Sequence, residues 1–545
     1  MPMVSFQVAV FRFRRAINQF RYWRIVIALC LFGLITYPFA PSLFSSDSPD
    51  FSQLAKPTPL SKPAPQQLWS YISEYAAAHE ELHKRADEEV ETMGGRASLA
   101  TNGAWEWIAA ERHTRAPSAG GLSDQGAKAS FRTNLRPDKQ YHMGFLTSGW
   151  NNQVMDTCNS IYVSVLARRI PILPAFEPHH EHLGGHVTTV AVGEIFDLSF
   201  LSSALRNQPI IEAHELKIGE RQSPRLQSVK RSKPGTGRFR EEEADLIHAE
   251  QDIVPETLGC WRFKNAGTWP YLPFKSMTVK YTPVPREISY KNSLEHPSIY
   301  GVADLLRTYH TGKIPEDSLD QLGGVPAAVP PDQQVSCLDF SYFLQTKPKG
   351  GGLHDEWRSG EGVWHHVGQY MRFQPGLIKV VEDFVRHTLG VAWDQPVPLY
   401  MGVHIRRGDF NNWYKDITQR QWAHRISQVL QDARDTMGVT IEHVLITTDE
   451  DDEAWLGPLR NYGFKIIEHK SSKTVERLDQ WFPTIIDTVL LSSGKAFLGV
   501  GASTMSILAM RRVIDWHSGI GHMFYDHDHR VPEDWTWHLN DFITG

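Results

Sequence analysis

At 545 residues, with 41% hydrophobic and 11% aromatic side chains, the chain can bury a large core and build at least two domains. That excludes a short binding module. A formal charge of -6 spread over this length argues against nucleic-acid binding, whose footprint would be a basic domain.

The N-terminus differs from the rest. Arg12, Arg14, Arg15, Arg21 and Arg24 precede an uncharged apolar run, Ile25 to Ala40, and no acidic residue occurs before Asp47. A bilayer core takes roughly 17–25 residues of helix, so residues 25–40 predict a short anchor completed by Tyr22, Trp23 and a snorkelling Arg24. Arginines ahead of the run place residues 1–24 in the cytoplasm by the positive-inside rule, with the remainder in a lumen. A cleaved signal peptide and an Arg-rich mitochondrial presequence are the rival readings. Residues 41–133 read as a stem: Pro41 to Pro65 is rich in Pro and Ser and extended, Gln66 to Glu91 carries Leu68, Ile72 and Tyr75 near one helix face, and Gly94 to Lys128 is of low order.

The folded part is expected from about Asn134, with a first half to Asp394 and a second half from 395 to 545. Met143 to Leu146 reads as a strand leading into TSGWNNQ, Thr147 to Gln153, with a helix from about Val154 to Arg168. Asn151 and Asn152 carry amides suited to sugar hydroxyls or phosphate. After the strand Ile170 to Leu173 comes PHHEHLGGH, in which His179, His180, His182 and His186 surround Glu181. This lacks the helical His-Glu-x-x-His spacing of a metalloprotease and is read as a polar loop. Lys217 to Arg240 is basic but interleaved with Ser, Pro and Gly, which marks a solvated insertion at about 215–250. His365 and His366 are either bases or packed beneath Tyr370 and Phe373. Of the four cysteines, Cys30 lies in the anchor, and Cys158 falls in the helix after Asn152. Cys260 with Cys337 is therefore the first disulfide to test. No Asn-x-Ser/Thr sequon occurs.

In the second half, Pro398 to Ile405 has the pattern of a buried strand and ends in Arg406, Arg407, Gly408 and Asp409. Open α/β sheets bind ligands beyond the carboxyl ends of their strands, and a guanidinium fork matches phosphate oxygens. Asp409 can orient an arginine or meet the ligand. The bland alternative is a surface salt bridge. Val444 to Ile446 is a second strand, followed by Asp449 to Asp452, an acidic cluster of the kind that can hold a divalent ion, as is Asp526 to His529. Ala496 to Val500 is a third strand, after which Gly501 and Ala502 allow close approach and Ser503 or Thr504 can cap the helix toward Met510. That start presents N–H groups to an anion.

The order of SGWNNQ (Ser148 to Gln153), HIRRGDF (His404 to Phe410), ITTDED (Ile446 to Asp451) and IIDTVLLSSGKAFLGVGASTMS (Ile485 to Ser506) resembles the GDP-fucose O-fucosyltransferase family and its α1,6-fucosyltransferase relatives, over about Tyr141 to Ile543. The resemblance implies an α/β fold of two Rossmann-like domains facing a cleft (GT-B type), and a metal-independent transferase with GDP-fucose as donor substrate and no cofactor. It implies that Arg406 contacts and stabilises the departing pyrophosphate, that His404 and Asp409 line the nucleotide, and that Asp487 receives the guanine edge. Ser503 and Thr504 match a phosphate-facing pair, and Asn151 and Asn152 match amides near fucose and phosphate. With the anchor, it implies a single-pass type II protein of the Golgi or endoplasmic reticulum membrane, acting on a protein or glycan acceptor. Some relatives place a glutamate general base where this chain has Ser148. A catalytically weak, membrane-tethered binding scaffold, or a transferase for another sugar nucleotide, are the alternative readings.

Overall fold

The computed structural model describes residues 120–123, 126–178, 189–217, 254–263, 272–274, 276–285, 288, 296–309, 330–347, 352–408, 410, 414, 416–525, 531–532 and 535. The expected anchor, the stem to residue 119, the histidine-rich run 179–186, most of the insertion, Asp409 and Asp526 to His529 lie outside them. Among the described residues no helix is long and apolar enough to cross a membrane.

Two parallel sheets organise the described chain. The first comprises β1 (Tyr141–Gly144), β2 (Ile170–Leu173), β3 (Ile211–Glu212), β4 (Glu256–Arg262), β5 (Met277–Pro283) and β6 (Val335–Leu338), in the order β3-β2-β1-β6-β4-β5. The second comprises β7 (Tyr400–Ile405), β8 (His443–Thr448), β9 (Lys465–Ile466), β10 (Ala496–Val500) and β11 (Ile520–Phe524), in the order β11-β10-β7-β8-β9. Among the described residues, seven helices of nine or more residues cover them: α1 (Trp150–Ala167), α2 (Ile299–Thr308), α3 (Pro375–Leu389), α4 (Gln419–Met437), α5 (Glu453–Asn461), α6 (Phe482–Ser493) and α7 (Thr504–His517). In each sheet the first strand in the chain lies inside, with the next strand on one side and a later one on the other. The order therefore reverses at β1/β6 and at β7/β10, the crevices where such sheets bind ligands.

Local sequence explains the elements. Central parallel strands are covered on both faces and so read as apolar runs rather than alternations, and all six residues of β7 are buried. Helix α4 starts on a capping box, Thr418 with Gln421, and stops at Gly438 in the left-handed region. Helix α3 has Pro375 in its first turn and ends at Gly390, φ 68°. Helix α6 crosses β7 so closely that a Cβ on Gly402 would stand 3.2 Å from the Leu491 Cα.

One apolar cluster runs from the helices of the first sheet to those of the second. Val154, Cys158 and Ile161 of α1 share it with Ile485 and Val489 of α6 and Ile507 and Val513 of α7. Separate clusters cover the other faces, around Met143, Ile172 and Val335 for the first sheet and around Val403, Ile426 and Ile446 for the second.

Several boundaries differ from those expected. Helix α1 begins four residues early, at Trp150, because Gly149 takes the extended N-cap conformation directly after the turn at Ser148. The folded body reaches ahead of Asn134: Phe131 is fully buried, and Leu122 bridges to Leu135. Cys260 and Cys337 form a disulfide between neighbouring strands β4 and β6, while Cys158 is buried and reduced.

A buried ion pair closes the base of the insertion. Lys217, the last described residue before it, places Nζ 2.7 Å from Glu256 Oε2 and donates to the Val254 carbonyl, with side-chain exposures of 0% and 6% for the pair. Glu256 also accepts from Ser130 Oγ and the Phe131 amide. Removing one partner of such a pair leaves an uncompensated buried charge. Lys217→Met should therefore cost about 3–5 kcal/mol in denaturant unfolding, and adding Glu256→Gln, which removes the charge but keeps an acceptor for Ser130 or Phe131, should recover part of that loss.

Candidate active site

Both switch points carry polar side chains, and the two sets meet. Arg406 follows β7 directly. Its Nη1 lies 3.0 Å from Asp449 Oδ2, and its guanidinium sits 5.7 Å from the Phe410 ring centre. Asp449 Oδ1 accepts from the Arg407 amide at 2.7 Å. Arg407 pairs through Nε with Glu450 Oε2 at 2.7 Å and stacks on Trp455, 4.2 Å to the ring centre. The acidic run after β8 thus serves the arginines as counter-charge. Asp452 accepts from the Ala454 amide and caps α5. Among the described residues no group of three or more His, Cys, Asp or Glu is disposed to hold a metal ion.

Beside it, β10 turns into α7. Ser503 occupies the N-cap position but makes no side-chain capping bond, so the first-turn amides of Thr504, Met505 and Ser506 keep the orphan donors of a helix start. Ala502 N–H donates to the Tyr414 hydroxyl at 3.3 Å. Ser506 ties the two strand ends together: its Oγ accepts from Val500 N–H at 3.1 Å and lies 2.8 Å from His404 Nδ1. That contact orients the imidazole within β7. Burial, with the Arg406 charge second, lowers the His404 pKa to about 3, so the ring is neutral.

The first sheet contributes the loop after β1. Ser148 adopts φ 65°, and Gln153 holds it there. The Gln153 Nε2 donates to the Ser148 and Glu177 carbonyls at 2.8 and 2.7 Å, and its Oε1 accepts from the Glu177 amide at 3.0 Å. Asn151 is buried with its Oδ1 unpartnered among the described residues. Asn152 Oδ1 accepts from Thr504 Oγ1 at 2.7 Å, and through that bond the two switch points touch. On α6, Asp487 Oδ1 lies 2.9 Å from His469 Nε2, whose Nδ1 is 3.1 Å from Thr474 Oγ1.

Of the residues singled out in the sequence, Arg406, Asn152, Ser503 and Thr504 are gathered at the paired switch points. His404 lies inside β7, one layer below Arg406, and Asp487 sits on α6 held by His469. His366 stacks on Tyr162 at 4.7 Å instead of lying beneath Tyr370 and Phe373. Gln153, Ser506, Asp449 and Glu450 join the site as supports: they lie within the quoted motifs, but the sequence gives them no role, whereas His469 is seen only as the partner of Asp487. The signal for the two acidic residues is the run after β8, which resembles an ion-binding loop until its arginine partners are seen.

Two parallel sheets whose switch points bring polar side chains together have the arrangement in which open α/β proteins hold ligands. The family model for GDP-fucose protein O-fucosyltransferase matches residues 145–513, and the chain belongs to that family. Among solved structures it is similar to POFUT1 in complex with GDP-fucose at 11% identity, covering 72% of this chain and 98% of that one with a TM-score of 0.40. It is also similar to NodZ α-1,6-fucosyltransferase soaked with GDP-fucose, at 10% identity, covering 69% and 93%, TM-score 0.29. A point mutant of Arabidopsis thaliana FUT1 in complex with GDP matches at 10% identity, 80% of each chain and TM-score 0.31. No curated protein matches the chain.

The electrostatics can be tested at two positions. Asp449→Asn keeps an acceptor for the Arg407 amide but removes the charge that holds Arg406, and should lower turnover about tenfold or more in an assay of fucosyl transfer, with the melting temperature little changed; each tenfold is about 1.4 kcal/mol of barrier. His142 of β1 is fully buried, and burial lowers its pKa to about 3, as for His404. The unfolded chain takes up a proton near 6.5 that the folded chain refuses, so this contribution to stability is complete above 6.5 and lost as pH falls toward 3. His142→Asn, which can still donate to Ser336 Oγ, should flatten the decline of unfolding free energy between pH 6 and 4 by about 1.4 kcal/mol per pH unit relative to the parent.

Proposed function

We propose that the crevice formed by the Arg406 loop, the start of α7 and the Ser148–Asn152 loop is the active site of a metal-independent, GT-B type fucosyltransferase. The reaction is transfer of fucose from GDP-fucose to a hydroxyl acceptor, on a protein or a glycan. The observation that carries this reading is the Thr504–Asn152 hydrogen bond, which brings an anion-binding helix start and a sugar-suited amide loop to one place beside Arg406.

In the displacement, the acceptor hydroxyl's oxygen bonds to the anomeric carbon of fucose while the bond from that carbon to the β-phosphate oxygen breaks, its electron pair leaves with GDP, and the hydroxyl proton passes to the departing β-phosphate or to water. Charge grows on the β-phosphate. Preformed donors meet it: Arg406, steadied by Asp449, and the first-turn amides of α7. Donors fixed in advance around a developing charge usually lower the barrier more than any other single effect. His404 supports the loop from below as a neutral ring. Asp487 receives the N–H edge of guanine, steadied by His469, because a carboxylate is the natural acceptor for two adjacent donors. Asn151 and Asn152 bond the sugar and phosphate.

The anchor at 25–40 makes the protein a type II resident of the Golgi or endoplasmic reticulum membrane with its catalytic part in the lumen. The buried Cys260–Cys337 disulfide suits that oxidising address.

Arg406→Ala should abolish transfer and weaken GDP binding, with Arg406→Lys recovering little because a point charge cannot fork two oxygens. Excess EDTA should leave most of the rate. Loss of activity restored by manganese would move the mechanism to a metal-dependent one, and preference for another sugar nucleotide in a donor panel would reassign the substrate.

A further inference from the structure

A third arginine reaches the donor crevice from the other half of the chain. Arg358 lies on the short helix Asp355–Ser359, ahead of α3. Its Nη2 donates to the carbonyl of Gly501 at 2.9 Å, and Gly501 is the first residue of the turn between β10 and α7. Its Nη1 pairs with Asp355 at 2.8 Å, and its Nε is buried with no hydrogen-bond partner among the described residues.

The helix that carries Arg358 is docked against α7 further along as well. Arg511 of α7 donates to the Arg358 carbonyl at 3.5 Å and pairs with Asp515, which also accepts from Trp364 Nε1 at 2.6 Å. Gly360 closes the short helix in the left-handed region, φ 74°, and a Cβ there would stand 2.3 Å from Arg511 Nη2. Arg358 is thus held by contacts independent of the carbonyl it captures.

That carbonyl matters because of what surrounds it. The turn offers amide hydrogens to an anion through the start of α7, but a carbonyl in the same turn presents negative charge, which an anion disfavours. A guanidinium on the carbonyl fixes its direction and offsets its partial charge. Resting on the GDP-fucose reading, we infer that Arg358 is a positioning residue for the diphosphate: it sets the Gly501–Thr504 turn in its anion-receiving form and adds a positive charge at the rim. The effect concerns the phosphates of the donor and not its base, for which Asp487 on α6 is the acceptor.

The test compares GDP with guanosine, both titrated calorimetrically into the parent protein and into Arg358→Met and Arg358→Lys variants, with KM and kcat for GDP-fucose measured alongside. Arg358→Met should weaken GDP and raise the KM for GDP-fucose about tenfold or more while leaving guanosine affinity unchanged, and Arg358→Lys should recover part of the loss. Equal weakening of GDP and guanosine would mean that Arg358 only braces the fold, and unchanged GDP affinity in both variants would also overturn the inference. Should Arg358→Met fail to fold, the same GDP-to-guanosine comparison in Arg358→Lys decides. A parent protein that binds no GDP would instead bring down the donor reading itself.

Discussion

A parallel sheet has two faces to cover, and in this chain the two sheets cover their facing sides with a single shared apolar cluster. Helices α1, α6 and α7 all contribute to it, through Cys158, Ile485, Ile507 and their neighbours. At roughly 25 cal/mol per Å² of buried apolar surface, a layer of this extent outweighs the few polar bonds that cross between the halves. The Thr504–Asn152 bond is therefore a consequence of the packing and not its cause. What the packing sets is geometry: α1 and α7 each begin at a switch point, so bringing these helices together brings their starts together too.

Charge in the crevice follows a second rule, that each guanidinium near the strand ends has a partner holding it in place. Asp449 serves Arg406, Glu450 serves Arg407, and Asp355 serves Arg358. The carboxylates lie on the β8 loop and on the short helix ahead of α3, and not at the starts of α1 and α7. Such an arrangement fixes long cationic side chains without filling the amides of α7. It also explains why these acidic residues look like an ion-binding loop until the arginines are placed beside them. The neutral His404 belongs to the same scheme, since a second positive charge directly beneath Arg406 would be poorly tolerated in a buried strand.

The strands β1, β7 and β10 and the helices after them are legible in the sequence because central parallel strands are short apolar runs that end in Gly, Ser, Asn or Arg. Contacts between the halves are not. Nothing near Asn152 announces Thr504, 352 residues away in the chain, and nothing near Gly501 announces Arg358. The sequence pattern starts α1 too late because Trp150 and Asn151 look like loop residues, although an extended glycine before them is a sufficient cap. The Lys217–Glu256 pair is hidden by its setting, since Lys217 opens a basic stretch that reads as solvated. The pairing of Cys260 with Cys337 is open to elimination because Cys158 falls in a helix facing the core.

That disulfide changes the connectivity of the chain as a graph. Its two cysteines are 77 residues apart and enclose β5 and α2, so this stretch is a covalent ring inserted into an otherwise linear polymer. A ring of that size removes roughly 4–5 kcal/mol of chain entropy from the unfolded state on the loop-closure account. It also means that a single backbone cut between Cys260 and Cys337 opens the ring without dividing the protein. Both pieces would migrate as one until a reductant parts them, because the bond stitches β4 to β6 side by side.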